Sequence, residues 1–360
     1  MTHTLASDPK TTNSVVVVVA AGVVVVAPFQ TTKKLSNKFA MTPSYVVRPI
    51  TPEIGAEVTG FDMRTASLHD IQQVHDLLTK HGVLFLPGQE NMTVEEHVSF
   101  GRDYANNLGL SLDPGHANLS NGSNPEIFEL KASQGGVANE WHTDLTFQVR
   151  PAKLSILHMI QCPKVGGDTM WASLSAAYDA LSKPMQDMLD NLTALHDATP
   201  HNKPHVTAVH PVIRVHPDTG RKCLYVSEHF TRRIVELEAR ESDALLAFLT
   251  RHVQDPRFNV RYHWSPGTVA IWDNTCTQHC VLNNFTGERH IQRVTIAGDE
   301  VVGVPSHART NPTQYDPAVA GLGAGAQSRH DRQLFLHLRR EDEMPGIAGG
   351  FEKNLVKSKL

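Results

Sequence analysis

Residues 268–279 read TVAIWDNTCTQH, an apolar run that ends at Trp272 and enters a turn at Asp273 and Asn274. Short runs with alternating apolar residues recur along the chain, and turn signals separate them. They are KLSILHMI (153–160), VIRVH (212–216), KCLYV (222–226), FNVRY (258–262) and HIQRVTI (290–296). Because such runs outnumber the helical segments and do not alternate with them, the pattern predicts a mainly β fold with flanking helices, built as an antiparallel sandwich or barrel.

Helix signals are confined to a few segments. Ser67 and Asp70 have the spacing of a capping box, and they precede an amphipathic run that ends at Gly82. The sequence predicts two further helical regions, one that begins with the capping pair Thr93 and Glu96 and one at 173–192 that divides at Ser182.

The composition of the chain changes near both ends. Residues 1–43 form a leader of low complexity, which we expect to be disordered and to lie outside the folded domain. Its apolar run at 15–29 is shorter than the roughly 20 residues that cross a bilayer, so no membrane span is predicted. Residues 303–360 are rich in Gly, Pro, Ala and charge and are interpreted as a C-terminal extension. The sequence therefore predicts a single folded domain at residues 44–302.

Charge and cysteine content restrict the class of protein. The net charge of −4 is spread over 360 residues without a basic stripe, which argues against a nucleic-acid partner. The cysteines lack the spacing of a disulfide framework, as expected for a reducing, cytoplasmic compartment; they are Cys162, Cys223, Cys276 and Cys280. A homo-oligomer is compatible with the sequence.

The carboxyl end offers an alternative location. Ser358, Lys359 and Leu360 form the tripeptide that a peroxisomal import receptor binds at an exposed C-terminus. The signal has meaning only in a eukaryotic source. The sequence therefore predicts a cytoplasmic protein, with a peroxisomal location as the alternative.

The stretch EWHTDLTF, residues 140–147, places His142 and Asp144 two positions apart. In a strand their side chains would share a face and could bind one ion, although such a pair alone is more often structural. His279, which ends the opening stretch, could complete a two-histidine, one-carboxylate triad that leaves three positions open on six-coordinate iron. A zinc site formed by His279 with Cys276 and Cys280 is the alternative interpretation.

Two arginines follow the third candidate ligand. Arg289 and Arg293 should lie on one face of a strand, with Ile291 between them. Guanidinium groups bind carboxylates and sulfonates through forked hydrogen bonds, so the pair is predicted to anchor anions inside a barrel. A purely structural role for both arginines is the other possibility.

Six motifs occur together, and with them the sequence resembles a known family. They are WHTDLTF (141–147), GGDTMW (166–171), HPVIRVHP (210–217), VSEHFTRRI (226–234), WDNTCTQH (272–279) and RHIQRVTIAGD (289–299). Over roughly residues 46–300 the chain is similar to the Fe(II)- and 2-oxoglutarate-dependent dioxygenases of the taurine dioxygenase (TauD/TfdA) family. The resemblance implies a double-stranded β-helix, a distorted jelly roll with flanking helices.

The resemblance also implies roles for individual residues. The implied iron ligands are His142, Asp144 and His279; the implied 2-oxoglutarate contacts are Thr169 and Arg289; the implied substrate contacts are Arg293, which faces an anionic group, and Phe230, an aromatic wall. A role in the core is an equal alternative for Phe230. Fe(II) is the implied cofactor, and 2-oxoglutarate and O2 are the implied co-substrates.

The activity implied by this family is hydroxylation of the carbon next to an anionic group of a small substrate. A taurine-like sulfonate would release sulfite, aldehyde, succinate and CO2, and an alkyl sulfate or phenoxyalkanoate is the alternative substrate. Ala138 stands where the taurine enzyme carries a pocket asparagine, which argues for a substrate other than taurine. A redox-silent metal hydrolase or binding barrel is the alternative class, but it would leave Thr169 and Arg289 without a role.

Overall fold

The structure is a computed structural model that describes residues 15–20, 23–28, 45–114, 120–121, 124–134 and 138–305. The chain divides into two units between Ser44 and Tyr45. In the first unit, strands β1 (Val15–Ala20) and β2 (Val23–Pro28) pair antiparallel. The predicted import tripeptide at 358–360 and most of the predicted extension lie outside the described residues, so those assignments stay predictions.

The described part of the second unit is mainly β, with helices between groups of strands. Its strands are β3 (Val46–Pro49), β4 (Ala56–Thr59), β5 (Val83–Leu86), β6 (Ser120–Asn121), β7 (Asn124–Gln134), β8 (Ala152–Gln161), β9 (Thr169–Ser173), β10 (Thr193–Ala198), β11 (Lys203–Pro211), β12 (Ile213–Val215), β13 (Lys222–Leu224), β14 (Thr231–Ile234), β15 (Asn259–Tyr262), β16 (Val269–Asp273), β17 (Thr277–Val281) and β18 (Thr286–Ala297). Its α-helices are α1 (Leu68–His81), α2 (Val94–Asn107), α3 (Leu174–Asp179), α4 (Lys183–Leu189) and α5 (Ala239–Val253).

Two sheets enclose the interior that holds the candidate site. The larger is an eight-stranded sheet in the order β3-β4-β5-β16-β8-β18-β7-β6, and the smaller has the order β15-β9-β17. Pairing within both sheets is antiparallel except between β4 and β5. Trp171 of the smaller sheet packs against Trp272 of the larger, with ring centroids 5.8 Å apart. The predicted jelly-roll architecture is confirmed.

The outer face of the large sheet is covered by α1 and α2. Ile71, Val74 and Leu78 of α1 form one buried cluster with Phe100 of α2 and with apolar residues of the sheet strands, among them Ile156. A second cluster packs α3, α4 and α5 around the smaller strands β10, β12, β13 and β14. Because apolar side chains cover both of its faces at the centre, the large sheet provides a rigid support for the polar residues at its inner face.

The helix predictions are confirmed at their termini. Ser67 and Asp70 make both bonds of a capping box, and Gly82 ends α1 with φ of 70° while its N–H donates to the Leu78 carbonyl. Thr93 caps α2 in the same way. Helix α5 was not predicted, although its apolar residues recur at helical spacing. No helix among the described residues is long and apolar enough to span a bilayer.

Residues 140–147, whose alternation is that of a strand, do not form one. Only His142 makes a strand-like bridge, and the chain then turns through Asp144 and Leu145, whose φ is 59°. The Asp144 N–H donates to Oδ1 of Asn274 at 3.2 Å, a bond that replaces a strand partner. Sequence alternation alone cannot distinguish a bridge followed by a turn from a continuous strand, because both bury alternate residues.

Three buried histidines should make the stability of the fold depend on pH. Burial lowers the pKa of His97 to about 3 and those of His158 and His210 to about 4. As the pH falls below about 6.5, the unfolded imidazoles bind protons that the folded ones exclude. The free energy of unfolding should therefore fall by up to about 1.4 kcal/mol per pH unit for each histidine, until the folded groups also bind protons.

Urea titrations at about pH 7, 6 and 5 measure this effect as a falling midpoint. His97→Gln, whose amide can still donate to the Ile156 carbonyl that His97 Nε2 contacts at 3.1 Å, should show a shallower decline. A wild-type midpoint that stays constant over this range would contradict the prediction.

Candidate metal centre

His142, Asp144 and His279 converge in the interior. One potential ligand atom from each residue lies within 4.8 Å of the others, and all three residues are buried. The two histidines are joined through the main chain, because His142 N–H donates to the His279 carbonyl at 3.0 Å and His279 N–H donates back at 2.8 Å. This bridge places the two imidazole rings 4.2 Å apart between centroids. Residues that are distant in sequence therefore form one compact donor set.

The protonation of this donor set suits a metal ion. His142 Nδ1–H donates to the Glu140 carbonyl at 2.8 Å, which leaves the Nε2 lone pair available. Burial lowers the pKa of His142 to about 4 and that of His279 well below its usual value. Burial alone would raise the pKa of the Asp144 carboxyl, but the charge of Arg293 and the neighbouring groups outweigh it and hold that pKa well below its usual value. Near neutral pH the set comprises two neutral imidazoles and one carboxylate, the donors of an iron facial triad.

Arg293 lies directly beside the carboxylate. Its Nη1 donates to Asp144 Oδ1 at 2.8 Å, and its guanidinium carbon lies 4.8 Å from the centroid of the Phe128 ring. The Nε of Arg293 is buried and has no hydrogen-bond partner. A buried charged donor without a partner is costly, and a ligand can remove that cost. The geometry therefore leaves one donor of Arg293 available for an anion next to the candidate metal ligands.

Arg289 occupies the same inner face of β18, with buried Ile291 between the two arginines. Its Nη2 lies 3.4 Å from Thr169 Oγ1, and its Nε lies 3.4 Å from the Gly167 carbonyl. Burial lowers the pKa of Arg289 to about 10, so the side chain is still a cation at neutral pH. The structure thus brings Thr169 and Arg289 together, separately from Arg293.

Thr169 faces the same interior as His279. In the pairing of β9 with β17, Thr169 is opposite Val281 and Trp171 is opposite His279, so these side chains share one face of the sheet. The Thr169 hydroxyl oxygen accepts a hydrogen bond from Trp264 Nε1 at 3.0 Å. The hydroxyl hydrogen is then free to point toward a ligand. The contact from Trp264 could not be foreseen, because nothing local in the sequence links residues 95 positions apart.

Aromatic rings form a wall on the other side of His142. The Phe230 ring centroid lies 6.0 Å from that of His142 and 5.2 Å from that of Phe147. His201 stacks on Phe230 at 5.6 Å. The family resemblance implies Phe230 alone, whereas Phe147 and His201 reach the same wall through the turn after Asp144 and the segment after β10. The wall offers apolar area beside the donor set.

A second group of potential ligands lies elsewhere and is already paired. His216, Asp273 and Cys276 have donor atoms within 4.8 Å of one another. However, His216 Nδ1 accepts backbone N–H groups from Asp218 at 3.1 Å and Thr219 at 3.3 Å, so its Nε2–H donates to Asp273 at 3.1 Å. Neither imidazole nitrogen is free to bind a metal. This cluster is a buried hydrogen-bonded ion network.

The alternative zinc site formed by Cys276, Cys280 and His279 is wrong. His279 and Cys280 are adjacent in β17, so their side chains point to opposite faces of the strand. His279 joins the donor set in the interior, and Cys280 packs in the apolar cluster on the other side. Burial raises the pKa of the Cys280 thiol to about 12, which disfavours the thiolate that zinc requires.

Removing the cation from the ion network should destabilise the fold. Lys153 Nζ lies 2.7 Å from Asp218 Oδ2 and 3.8 Å from Asp273 Oδ2, and the Asp273 side chain is fully buried. We expect Lys153→Met to lower the free energy of unfolding by about 3–5 kcal/mol, because Asp273 would keep a buried charge without its cation. Chemical denaturation measures the change.

Lys183→Met is the matched control, since Lys183 pairs with Asp187 on an exposed helix surface. We expect this control to lower the free energy of unfolding by less than about 1 kcal/mol. If both variants lose the same free energy of unfolding, Lys153 does not stabilise the buried charge of Asp273.

Comparison with known proteins identifies the family to which the chain is similar. The model for the taurine catabolism dioxygenase TauD, TfdA family matches residues 47–295. The chain is 35% identical over 283 residues to the alpha-ketoglutarate-dependent sulfate ester dioxygenase of Pseudomonas putida, covering 72% of this chain and 91% of that protein. It is 32% identical over 281 residues to the alpha-ketoglutarate-dependent sulfonate dioxygenase of Saccharomyces cerevisiae, covering 69% of this chain and 66% of that protein.

A solved structure agrees with these sequence relationships. The crystal structure of a taurine dioxygenase from Burkholderia xenovorans matches with a TM-score of 0.65 and 35% identity, covering 72% of this chain and 93% of that chain. The fold, the interior donor set and the sequence similarity extend over the same part of the chain. The chain therefore belongs to the TauD/TfdA family of dioxygenases.

Proposed function

We propose that this protein is an Fe(II)- and 2-oxoglutarate-dependent dioxygenase that hydroxylates the carbon next to a sulfonate or sulfate group of a small organic substrate. The observation that carries the proposal is the contact between Arg293 and Asp144 at 2.8 Å. An anion bound by Arg293 would lie beside the candidate ligands, so the carbon attached to that anion is the one presented for oxidation.

His142, Asp144 and His279 would hold Fe(II). The fit rests on their chemistry: two neutral imidazoles and one carboxylate, all buried, with ligand atoms within 4.8 Å of one another. When bound, Fe(II) together with 2-oxoglutarate supplies the oxidation by O2, in which one oxygen atom enters succinate and the other enters the substrate, with release of CO2. The protein's own residues bind and orient the two organic reactants.

Thr169 and Arg289 would bind 2-oxoglutarate. The Thr169 hydroxyl already accepts from Trp264 Nε1 at 3.0 Å, so it can donate its hydrogen to a carboxylate. Arg289 is a buried cation 3.4 Å from that hydroxyl, and guanidinium groups bind carboxylates through two parallel hydrogen bonds. The two residues therefore form a receptor for one end of a dicarboxylate.

Arg293 and Phe230 would bind the primary substrate. The unpartnered Nε of Arg293 is a donor for the anionic group, and the wall of Phe230, Phe147 and His201 offers apolar contact for the rest of the molecule. Hydroxylation next to a sulfonate gives an adduct that loses the hydroxyl proton and breaks its carbon–sulfur bond, releasing aldehyde and sulfite. A sulfate ester breaks the corresponding carbon–oxygen bond and releases sulfate.

The domain assignment follows from the same residues. We assign catalysis to residues 44–302, a range that contains the described site residues and most of the described helices and strands. The assignment of residues 1–43 and 303–360 to accessory segments remains a proposal, as do the cytoplasmic or peroxisomal location and the formation of a homo-oligomer.

Metal and co-substrate binding can be tested without turnover. Anaerobic addition of Fe(II) and 2-oxoglutarate to the apoprotein should produce a weak visible charge-transfer band, because the keto acid chelates the metal. The band should be lost in His142→Ala, which removes one ligand, and retained in His69→Ala, which alters an exposed histidine on α1. The absence of a band in the wild-type protein would refute the dioxygenase assignment.

The anion assignment can be tested by product analysis. Alkyl sulfonates, alkyl sulfates and phenoxyalkanoates are supplied with O2 and 2-oxoglutarate, and succinate, sulfite and sulfate are measured. We expect Arg293→Met to lower kcat/KM for the preferred anion by about 10–150-fold, since hydrogen bonds to charged groups contribute about 1.5–3 kcal/mol.

Arg150→Met, which removes an exposed arginine, is the control and should leave kcat/KM unchanged. Sulfite release identifies a sulfonate substrate, sulfate release identifies a sulfate ester, and a response to phenoxyalkanoates alone would contradict the sulfur assignment. Unchanged kcat/KM in Arg293→Met would contradict the role of that residue.

A further inference from the structure

A closed ring of hydrogen bonds lies behind the Asp144 carboxylate. The Asp144 N–H donates to Asn274 Oδ1 at 3.2 Å, and Asn274 Nδ2 donates to Ser155 Oγ at 2.9 Å. Ser155 Oγ donates to Asp144 Oδ2 at 2.8 Å, which closes the ring on the residue where it began. Trp272 Nε1 adds a second donor to Asn274 Oδ1 at 3.1 Å.

The direction of every bond in this ring is determined by its members. Trp272 Nε1 and the Asp144 main-chain nitrogen can only donate, so the carbonyl oxygen of the Asn274 amide must face them. The amide nitrogen therefore faces Ser155 and donates to its oxygen. Since the Ser155 oxygen already accepts there, its single hydrogen is directed to the Asp144 carboxylate.

The ring is isolated from solvent. Ser155 and Asn274 have no exposed surface, and Asp144 is 5% exposed. Water therefore cannot replace a lost bond without opening the interior, and each member remains fixed by the others. A buried ring with determined polarity holds the carboxylate in one rotamer.

We propose that Ser155 and Asn274 are positioning residues that fix the orientation of the Asp144 carboxylate, so that it is presented to a metal in one geometry. The proposal rests on the proposed function, because it assigns Asp144 as a metal ligand. Oδ1 accepts from Arg293 Nη1 and Oδ2 accepts from Ser155 Oγ, both at 2.8 Å, so each carboxylate oxygen keeps one lone pair that could bind a metal.

The ring also connects two ligands that lie far apart in the chain. Asn274 stands in the turn between β16 and β17, and β17 carries His279. The main-chain N–H of Asn274 donates to the Lys153 carbonyl at 2.9 Å, close to Ser155 on β8. The carboxylate is therefore held by β8 and by the turn that leads into the third candidate ligand.

Mn(II) binding to the apoprotein tests the inference, with electron paramagnetic resonance as the readout. Ser155→Ala should raise the Kd for Mn(II) by about 10–100-fold and change the line shape of the bound ion, because the carboxylate loses its orienting donor. Asn274→Asp should act in the same direction, since an oxygen would replace the amide donor to Ser155. Circular dichroism establishes that each variant is folded.

Ser175→Ala is the matched control, because Ser175 is also buried and its Oγ contacts Cys223 Sγ at 3.1 Å, away from the metal ligands. It should leave the Kd unchanged. If folded Ser155→Ala and the wild type bind Mn(II) with equal Kd and line shape, the positioning role is refuted. If the wild type binds no Mn(II), or His142→Ala binds it equally well, the proposed metal site itself fails.

Discussion

The turn at Asp273 and Asn274 is the constraint on which the rest of the site depends. Asp273 accepts from the Thr275 N–H at 2.7 Å and pairs with His216 and Lys153 on one side of the turn. Asn274 points the other way and reaches Asp144 and Ser155. A change in the turn would therefore alter both a buried ion network and a buried carboxylate. Two adjacent side chains thus link the stability of the fold to the geometry of the donor set.

The charges of the interior explain why the bound molecules should be anions. Asp144, Arg289 and Arg293 together leave one positive charge in a buried region, and the neutral imidazoles add none. Fe(II) would add two positive charges, while 2-oxoglutarate and a monoanionic substrate would bring three negative charges. The assembled site would then be neutral, which minimises the cost of buried charge. A neutral substrate would leave one cationic charge without compensation.

Sequence alone predicts the parts of this protein that have a local pattern. Capping pairs such as Ser67 and Asp70 predict helix starts, and alternation predicts strands such as β8 and β16, because both signals arise within a few residues. The spacing of His142 and Asp144 is also local, but their conformation is a bridge and a turn. No feature of the sequence distinguishes Ser155 from other polar residues of a strand. Its contact with Asn274 joins residues that are 119 positions apart. Such contacts depend on how the sheets fold together, which a single sequence does not specify.

The shape of Arg293 matters as much as its charge. One of its nitrogens is already engaged with Asp144 Oδ1, so a second, separately directed donor is needed to hold an anion without releasing the carboxylate. Guanidinium provides this, because its planar fork keeps several donors at fixed angles, whereas the ammonium of lysine concentrates its charge at one point. The orphan Nε of Arg293 is buried and lies on the same rigid group as the nitrogen that contacts Asp144. A substrate anion bound at Nε and the Asp144 carboxylate would therefore be held by one planar group, which would fix the position of the substrate relative to the candidate metal ligand.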